Sequence, residues 1–428
     1  MISKKPRVLS SSFLNILAWL TIAISCISIN QWSEVPIGNT TTTWILCFLY
    51  LLVIRVYITR HKGLFWSSDY KCCAIFLCWA FINSIRGAFI AENYWEYKQL
   101  VTGVLMCSLP LFVYIFQSPQ IDAFILRKWN KWMLLLFIVF FIWVCNPSCY
   151  FFLLPFFLLY ACFWLDLPTK WKCVVFIMII LFCLGLDTRS NIIKVATSVC
   201  VAIGMHFRFY ITRFMLRLFH WAMYGLPLVF LALAYWGNFN VLSDVSSSNE
   251  GKMTTASADG TENVASDTRS FIYYEVLEYA LEKGYTIWGN TPARGNYSYT
   301  FFVKNKNTFE NMNGKNERHA NELVHLNIFT WLGIIGVVLY SLIYMRSSYM
   351  AVYHSKSLYI KMIGVTVAFH WAFGWIEDFN SFTVQNMWLW MMIAMGLSPQ
   401  FREMNDQQFR EWFKSIFRQS KKMGCIQE

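Results

Sequence analysis

The feature that most limits what this chain can become is a succession of apolar runs, each near the length that crosses a bilayer. About twelve can be counted, near 8–29, 41–58, 70–90, 98–117, 132–146, 149–165, 173–186, 191–207, 220–236, 325–345, 361–376 and 381–398. Inside hydrocarbon a backbone polar group finds no water, so a spanning segment must bond its own N–H and C=O groups, and such runs fold as helices. Only 14% of the residues are charged, against 57% hydrophobic and 19% aromatic, which excludes an ordinary soluble domain. The expectation is an all-α polytopic membrane protein with about twelve transmembrane helices. Lys4, Lys5 and Arg7 precede the first run and no small-residue cleavage site follows it, so it reads as a retained helix.

Charge orients the spans. With the N-terminus inside, the inner loops carry Arg60 and Lys62, then Arg127, Lys128 and Lys131, then Lys170 and Lys172, then Arg208, Arg213 and Arg217, and later Arg346, Lys356 and Lys361. The short outer loops near 30–40, 146–148 and 377–381 carry no Lys or Arg. Both termini are then cytoplasmic, and the net charge of +12 reports this topology and contact with anionic membrane lipid; it does not call for nucleic acid. The thirteen cysteines avoid the 237–324 loop and suggest neither zinc nor an iron–sulfur cluster.

One long polar interruption breaks the apolar series and divides the chain. Residues 1–236 form an N-terminal bundle of about nine spans. Residues 237–324 form one large extracytoplasmic loop, 325–398 the C-terminal spans, and 399–428 a basic amphipathic tail that rests on the inner leaflet. The loop opens on Ser/Gly/Thr-rich sequence through Ser246 and Thr254, which reads as flexible. A helix follows from Asp267 as N-cap to Gly284 as C-cap, with Phe271, Tyr274, Leu277 and Leu281 on one stripe.

Charged residues at the outer span ends oppose the inside bias and so need a reason. Arg86 closes the third span, where it either pairs with Glu92 or Glu96 or binds an anion. Arg189 and Lys194 flank the start of the eighth span, about a helical turn apart, and Asp187 offers Arg189 an alternative partner. Glu377 and Asp378 end the eleventh span and suit a sugar, a base, or neutralisation of Arg86 or Arg189. The loop adds Arg269, Arg294 and Arg318, then His319, Glu322 and His325 where the chain re-enters the membrane. On one helix the last three would face one site; alternatively they solvate a helix start. Gly333 and Gly336 read as sites of close helix packing.

Several chemistries lack their residues. There is no Gly-rich nucleotide loop after a strand, no Gly-x-Ser-x-Gly elbow, and no His-Glu-x-x-His or paired-cysteine ligand set. What remains is a set of outer-face cations beside His and Glu. Arginine forks bind phosphate oxygens bidentately. A site facing away from the cytoplasm has no ATP or nucleotide sugar, which leaves a lipid-linked diphosphate as the phosphate ligand. Such a lipid is an activated glycosyl donor: cations neutralise the leaving diphosphate while His or Glu takes the acceptor's proton. No metal and no cofactor are expected.

The stretch from Arg269-Ser270-Phe271 to Gly284, then Ile287-Trp288-Gly289, then a His/Asn-containing run into Leu332-Gly333-Ile334-Ile335-Gly336, resembles the O-antigen polymerase and ligase superfamily. Asp187-Thr188-Arg189-Ser190 at a span's outer end fits the same resemblance. It implies a GT-C-like glycosyltransferase of the bacterial inner membrane that uses an undecaprenyl-diphosphate-linked glycan, with a chain-length regulator as a further partner and no need for a metal. The family's His-Asn motif is displaced here: Glu322 holds the His position, with His319 three residues before and His325 three after. The displacement favours a polymerase of O-antigen, capsule or exopolysaccharide repeat units over a ligase that transfers glycan to lipid A-core. A flippase for the same lipid-linked glycan is the rival of another class. It fits the span count but not the single large loop or the lack of two-half symmetry.

Overall fold

The structure, a computed structural model, describes residues 10–28, 37–144, 160, 163–184, 189–235, 254–257, 260–263, 270–298, 315 and 317–417. Its helices are α1 (Ser11–Ser28), α2 (Thr40–Arg60), α3 (Lys71–Ile90), α4 (Tyr94–Cys107), α5 (Phe112–Phe116), α6 (Pro119–Val144), α7 (Thr169–Leu184), α8 (Arg189–His206) and α9 (Arg213–Tyr235). After the loop hairpin β1 (Thr254–Ser257) and β2 (Gly260–Asn263) come α10 (Ser270–Lys283), β3 (Asn296–Tyr297) and β4 (Glu317–Arg318). The C-terminal part is α11 (Val324–His354), α12 (Leu358–Phe373), α13 (Val384–Leu397), α14 (Pro399–Glu403) and α15 (Asp406–Phe417).

Every apolar run except that near 149–165, which lies mostly outside the described residues, coincides with helix. Among the described residues six helical stretches are long and apolar enough to cross a membrane: Ser11–Ser28, Thr40–Arg60, Lys71–Ile90, Tyr94–Phe116, Arg213–Ala232 and Val324–His354. Polar caps set the starts. Asn39 accepts the Thr42 N–H at 2.8 Å, and Asn93 accepts those of Trp95 and Glu96 at 3.0 Å. Gly284, at φ 69°, ends α10 where the sequence placed its C-cap. Asp267, the expected N-cap, lies outside the described residues.

α11 is the centre of the bundle, packed against α3, α12 and α13. Helix ends sort into two groups. At one end Arg402 pairs with Asp69 at 2.8 Å, Ser398 bonds the Gln117 carbonyl at 2.7 Å, and Lys356 N–H bonds the Arg402 carbonyl at 2.9 Å. At the other, Val384 N–H bonds Ser28 at 3.0 Å and Val324 N–H bonds the Glu377 carbonyl at 3.3 Å. This second end carries the loop segments 284–298 and 317–323.

The tail corrects one expectation. The apolar face of α15, Phe409, Phe413 and Ile416, is buried against protein rather than laid on a leaflet. Phe163 offers it rings at 5.0 and 5.5 Å, and Arg127 on α6 holds the Ser415 carbonyl at 2.9 Å. A matching aromatic surface therefore satisfies the amphipathic face within the bundle.

Candidate functional site

The site end is organised by a break in α11. Gly333 sits at φ 68°, ψ −170°, so the helical ladder stops there. The segment after α10 supplies the missing partners. Asn290 N–H bonds the Thr330 carbonyl at 2.6 Å, Thr291 N–H bonds that of Trp331 at 3.2 Å, and the Trp79 indole bonds that of Leu332 at 3.0 Å. In return Ile334 N–H bonds the Thr286 carbonyl at 2.9 Å. The loop thus completes the hydrogen bonding of a discontinuous span, which apolar surroundings require. Backbones meet so closely that a Cβ on Gly289, at φ 78°, would lie 2.4 Å from the Trp331 carbonyl oxygen. Gly333 therefore breaks its helix for the loop; the expected plain helix-packing role is corrected.

A second polar lock lies just before α11. The Asn327 side chain accepts the Asn321 N–H at 2.5 Å and donates to the Asn321 carbonyl at 2.9 Å, while Asn321 donates to Asn296 at 2.9 Å. Asn321 is thereby held outside the helix. His319, Glu322 and His325 consequently do not share one helix, contrary to the expectation: His319 follows β4, Glu322 lies in a turn, and only His325 is helical.

Both histidines are buried. The His319 ring lies 5.3 Å from Trp331, and its Nε2 is 2.9 Å from the Pro292 carbonyl. A carbonyl only accepts, so Nε2 carries the proton and Nδ1 the lone pair. Burial pushes the His319 pKa down, against smaller opposing effects of Pro292 and Glu317. His325 donates Nε2–H to the Trp371 carbonyl at 2.9 Å, with Trp375 4.4 Å and Trp371 5.4 Å from its ring. Its Nδ1 is buried with no hydrogen-bond partner among the described residues.

Of the three expected cations whose side chains are described, Arg294 and Arg318 are neutralised within the protein. Arg294 forks onto the buried Glu317 carboxylate, which also accepts the Gly295 N–H at 3.3 Å and the Tyr279 hydroxyl at 3.4 Å. Glu317 holds the Arg294 pKa above its usual value. Arg318 pairs with Glu322 at 3.2 Å. Glu92 and Glu96 go to Lys315, at 2.8 and 2.7 Å, so the expected pair between either of them and Arg86 is corrected. Among the described residues Arg86 instead uses only Nη1, on Asn83 at 2.5 Å and the Trp288 carbonyl at 3.2 Å. A guanidinium has five donors, so Arg86 keeps donors for an anion. Beside it the Trp288 ring, 52% exposed, stands 5.2 Å from Trp79.

Asp378 is the carboxyl with acid–base character. It accepts the Asn380 N–H at 3.0 Å and a side-chain bond from Asn327. Burial pushes its pKa up to about 7, with the neighbouring Glu377 and Glu322 charges adding to the rise. Position in the sequence pairs Asp378 with Glu377 but carries no sign of this environment, and it gives Trp288 a place in the Ile287-Trp288-Gly289 run without a role at the site. Arg189 and Lys194 lie on the first turns of α8, where the backbone alone is described, and Arg269 lies outside the described residues. Among the described residues no group of three His, Cys, Asp or Glu is placed to hold a metal.

A scan of protein-family models, a search of curated proteins and a search of solved structures each found no match to this chain.

Proposed function

We propose that this chain is a membrane-embedded glycosyltransferase that polymerises undecaprenyl-diphosphate-linked repeat units of O-antigen, capsule or exopolysaccharide. On this reading it crosses the bacterial inner membrane about twelve times, with both termini cytoplasmic and the loop end periplasmic, a topology that the charge pattern of the loops supports. The observation that carries the proposal is Arg86. It is a cation at the loop end of a span with donors to spare, beside an exposed indole on which a sugar ring can stack.

In the reaction, the bond from the donor sugar's anomeric carbon to the lipid diphosphate breaks as an acceptor hydroxyl attacks that carbon. Arg86 neutralises the departing diphosphate, together with Arg189 and Arg269 as the family resemblance suggests. The acceptor's proton needs a base with a pKa near the working pH. Asp378 fits that need better than His319, whose pKa burial pushes down, away from the working pH. Glu322, 54% exposed in its side chain, helps hold Asp378 at its raised pKa.

A deletion strain tests the pathway assignment. A polymerase leaves lipid A-core carrying a single repeat unit. Lipid A-core with no repeat, alongside free lipid-linked polymer, would make the protein a ligase instead.

A further inference from the structure

At the end of the bundle opposite the loop, α3, α9 and α11 enclose a cavity of about 450 Å³. Lys71 and Arg346 stand on its wall, and neither makes an ion pair among the described residues. Arg346 spends Nη2 on the Ser68 carbonyl at 2.8 Å, and its buried Nε has no hydrogen-bond partner among the described residues. The remaining wall is apolar and open to the side: Ile75, Trp221 and Leu342 are 39%, 53% and 46% exposed. α11 lines the cavity from Leu339 to Tyr349, a rise of about 15 Å, close to the hydrocarbon depth of one leaflet.

His220 adds a polar requirement. It is 2% exposed and lines the cavity, with Nε2 3.1 Å from Ser348 Oγ. Ser348 Oγ also lies 3.1 Å from the Met345 carbonyl and 2.8 Å from the Tyr224 hydroxyl. His220 Nδ1 is buried and has no hydrogen-bond partner among the described residues.

We propose that this cavity binds a glycerophospholipid of the inner leaflet with an anionic headgroup. Its phosphate lies on Arg346 and Lys71, and an acyl chain runs along Ile75, Trp221 and Leu342. An unpaired arginine on a membrane wall needs such a counter-ion. A soluble anion would leave the apolar wall uncovered.

The test is thermal unfolding of the delipidated full chain in neutral detergent with added phosphatidylglycerol, phosphatidylcholine, undecaprenyl phosphate or inorganic phosphate. Phosphatidylglycerol should raise the midpoint most. Arg346→Gln should remove that shift, and Lys71→Gln should at least halve it while unfolding like the parent without lipid. The Lys71 variant keeps the test sound if loss of the Ser68 contact unfolds Arg346→Gln. An equal shift from phosphatidylcholine, from inorganic phosphate or from undecaprenyl phosphate would overturn the proposal, as would an undiminished phosphatidylglycerol shift in Lys71→Gln.

Discussion

Gly289 and Gly333 meet back to back: a Cβ on Gly333 would lie 2.7 Å from the Gly289 nitrogen, and one on Gly289 would lie 2.5 Å from the Gly333 nitrogen. Through this contact the loop enters the break in α11 and brings Trp288 beside Arg86. Gly289→Ala should therefore destabilise strongly. Positive φ costs a non-glycine residue about 1–2 kcal/mol, and forced overpacking about 1–3 more. Detergent unfolding of the variant should show the loss, and a parent-like midpoint would refute the close contact.

The Arg294–Glu317 pair anchors the same layer. Removing one partner of a buried pair leaves an uncompensated charge and costs about 3–5 kcal/mol, whereas replacing both by apolar groups is often near neutral. Arg294→Met should thus be worse than the double variant Arg294→Met/Glu317→Leu. A double variant as unstable as the single one would mean that the pair holds the loop through more than its charge.

The spans were legible because apolar length needs no tertiary context, and Gly284 was legible as a cap because its partners are local. The break at Gly333 was not. Two glycines near a helix start look the same whether they pack a neighbouring helix or admit a loop, and the loop residue that decides between these, Gly289, lies far earlier in the chain. Arg294 looked like an anion ligand because its partner Glu317 reaches it only through the β3–β4 pairing of Asn296 with Arg318 and Tyr297 with Glu317. Asp378 gains its raised pKa chiefly from burial, with Glu377 and then Glu322 adding to it, and burial is set by tertiary packing that the local sequence does not carry.

Asp378 gives a pH prediction. As a base it works ionised, so polymerisation should rise with pH through about 7, and Asp378→Asn should remove that limb. Stability runs the other way. A carboxyl raised on folding favours the fold below the usual carboxylate range near 4 and loses that contribution as pH rises through about 7. Unfolding midpoints should therefore fall over this window in the parent and less so in Asp378→Asn. Identical pH profiles for the two proteins would exclude Asp378 as the base.

Arg86→Lys should be nearly as inactive as Arg86→Ala, because an ammonium lacks the planar fork that grips a diphosphate. Both should accumulate in the membrane at parental levels. Full activity of Arg86→Ala, Arg189→Ala and Arg269→Ala would remove the diphosphate clamp.

The most direct measurement is glycan synthesis by the purified protein in liposomes. The sole substrate is an undecaprenyl-diphosphate-linked repeat unit, with no nucleotide sugar or ATP, and samples are run with and without EDTA. The account predicts a ladder of longer glycans, stoichiometric release of undecaprenyl diphosphate, insensitivity to chelator, and no ladder from Arg86→Ala. Folded protein that yields no ladder, or that moves the labelled lipid-linked unit across the bilayer without lengthening it, would contradict it.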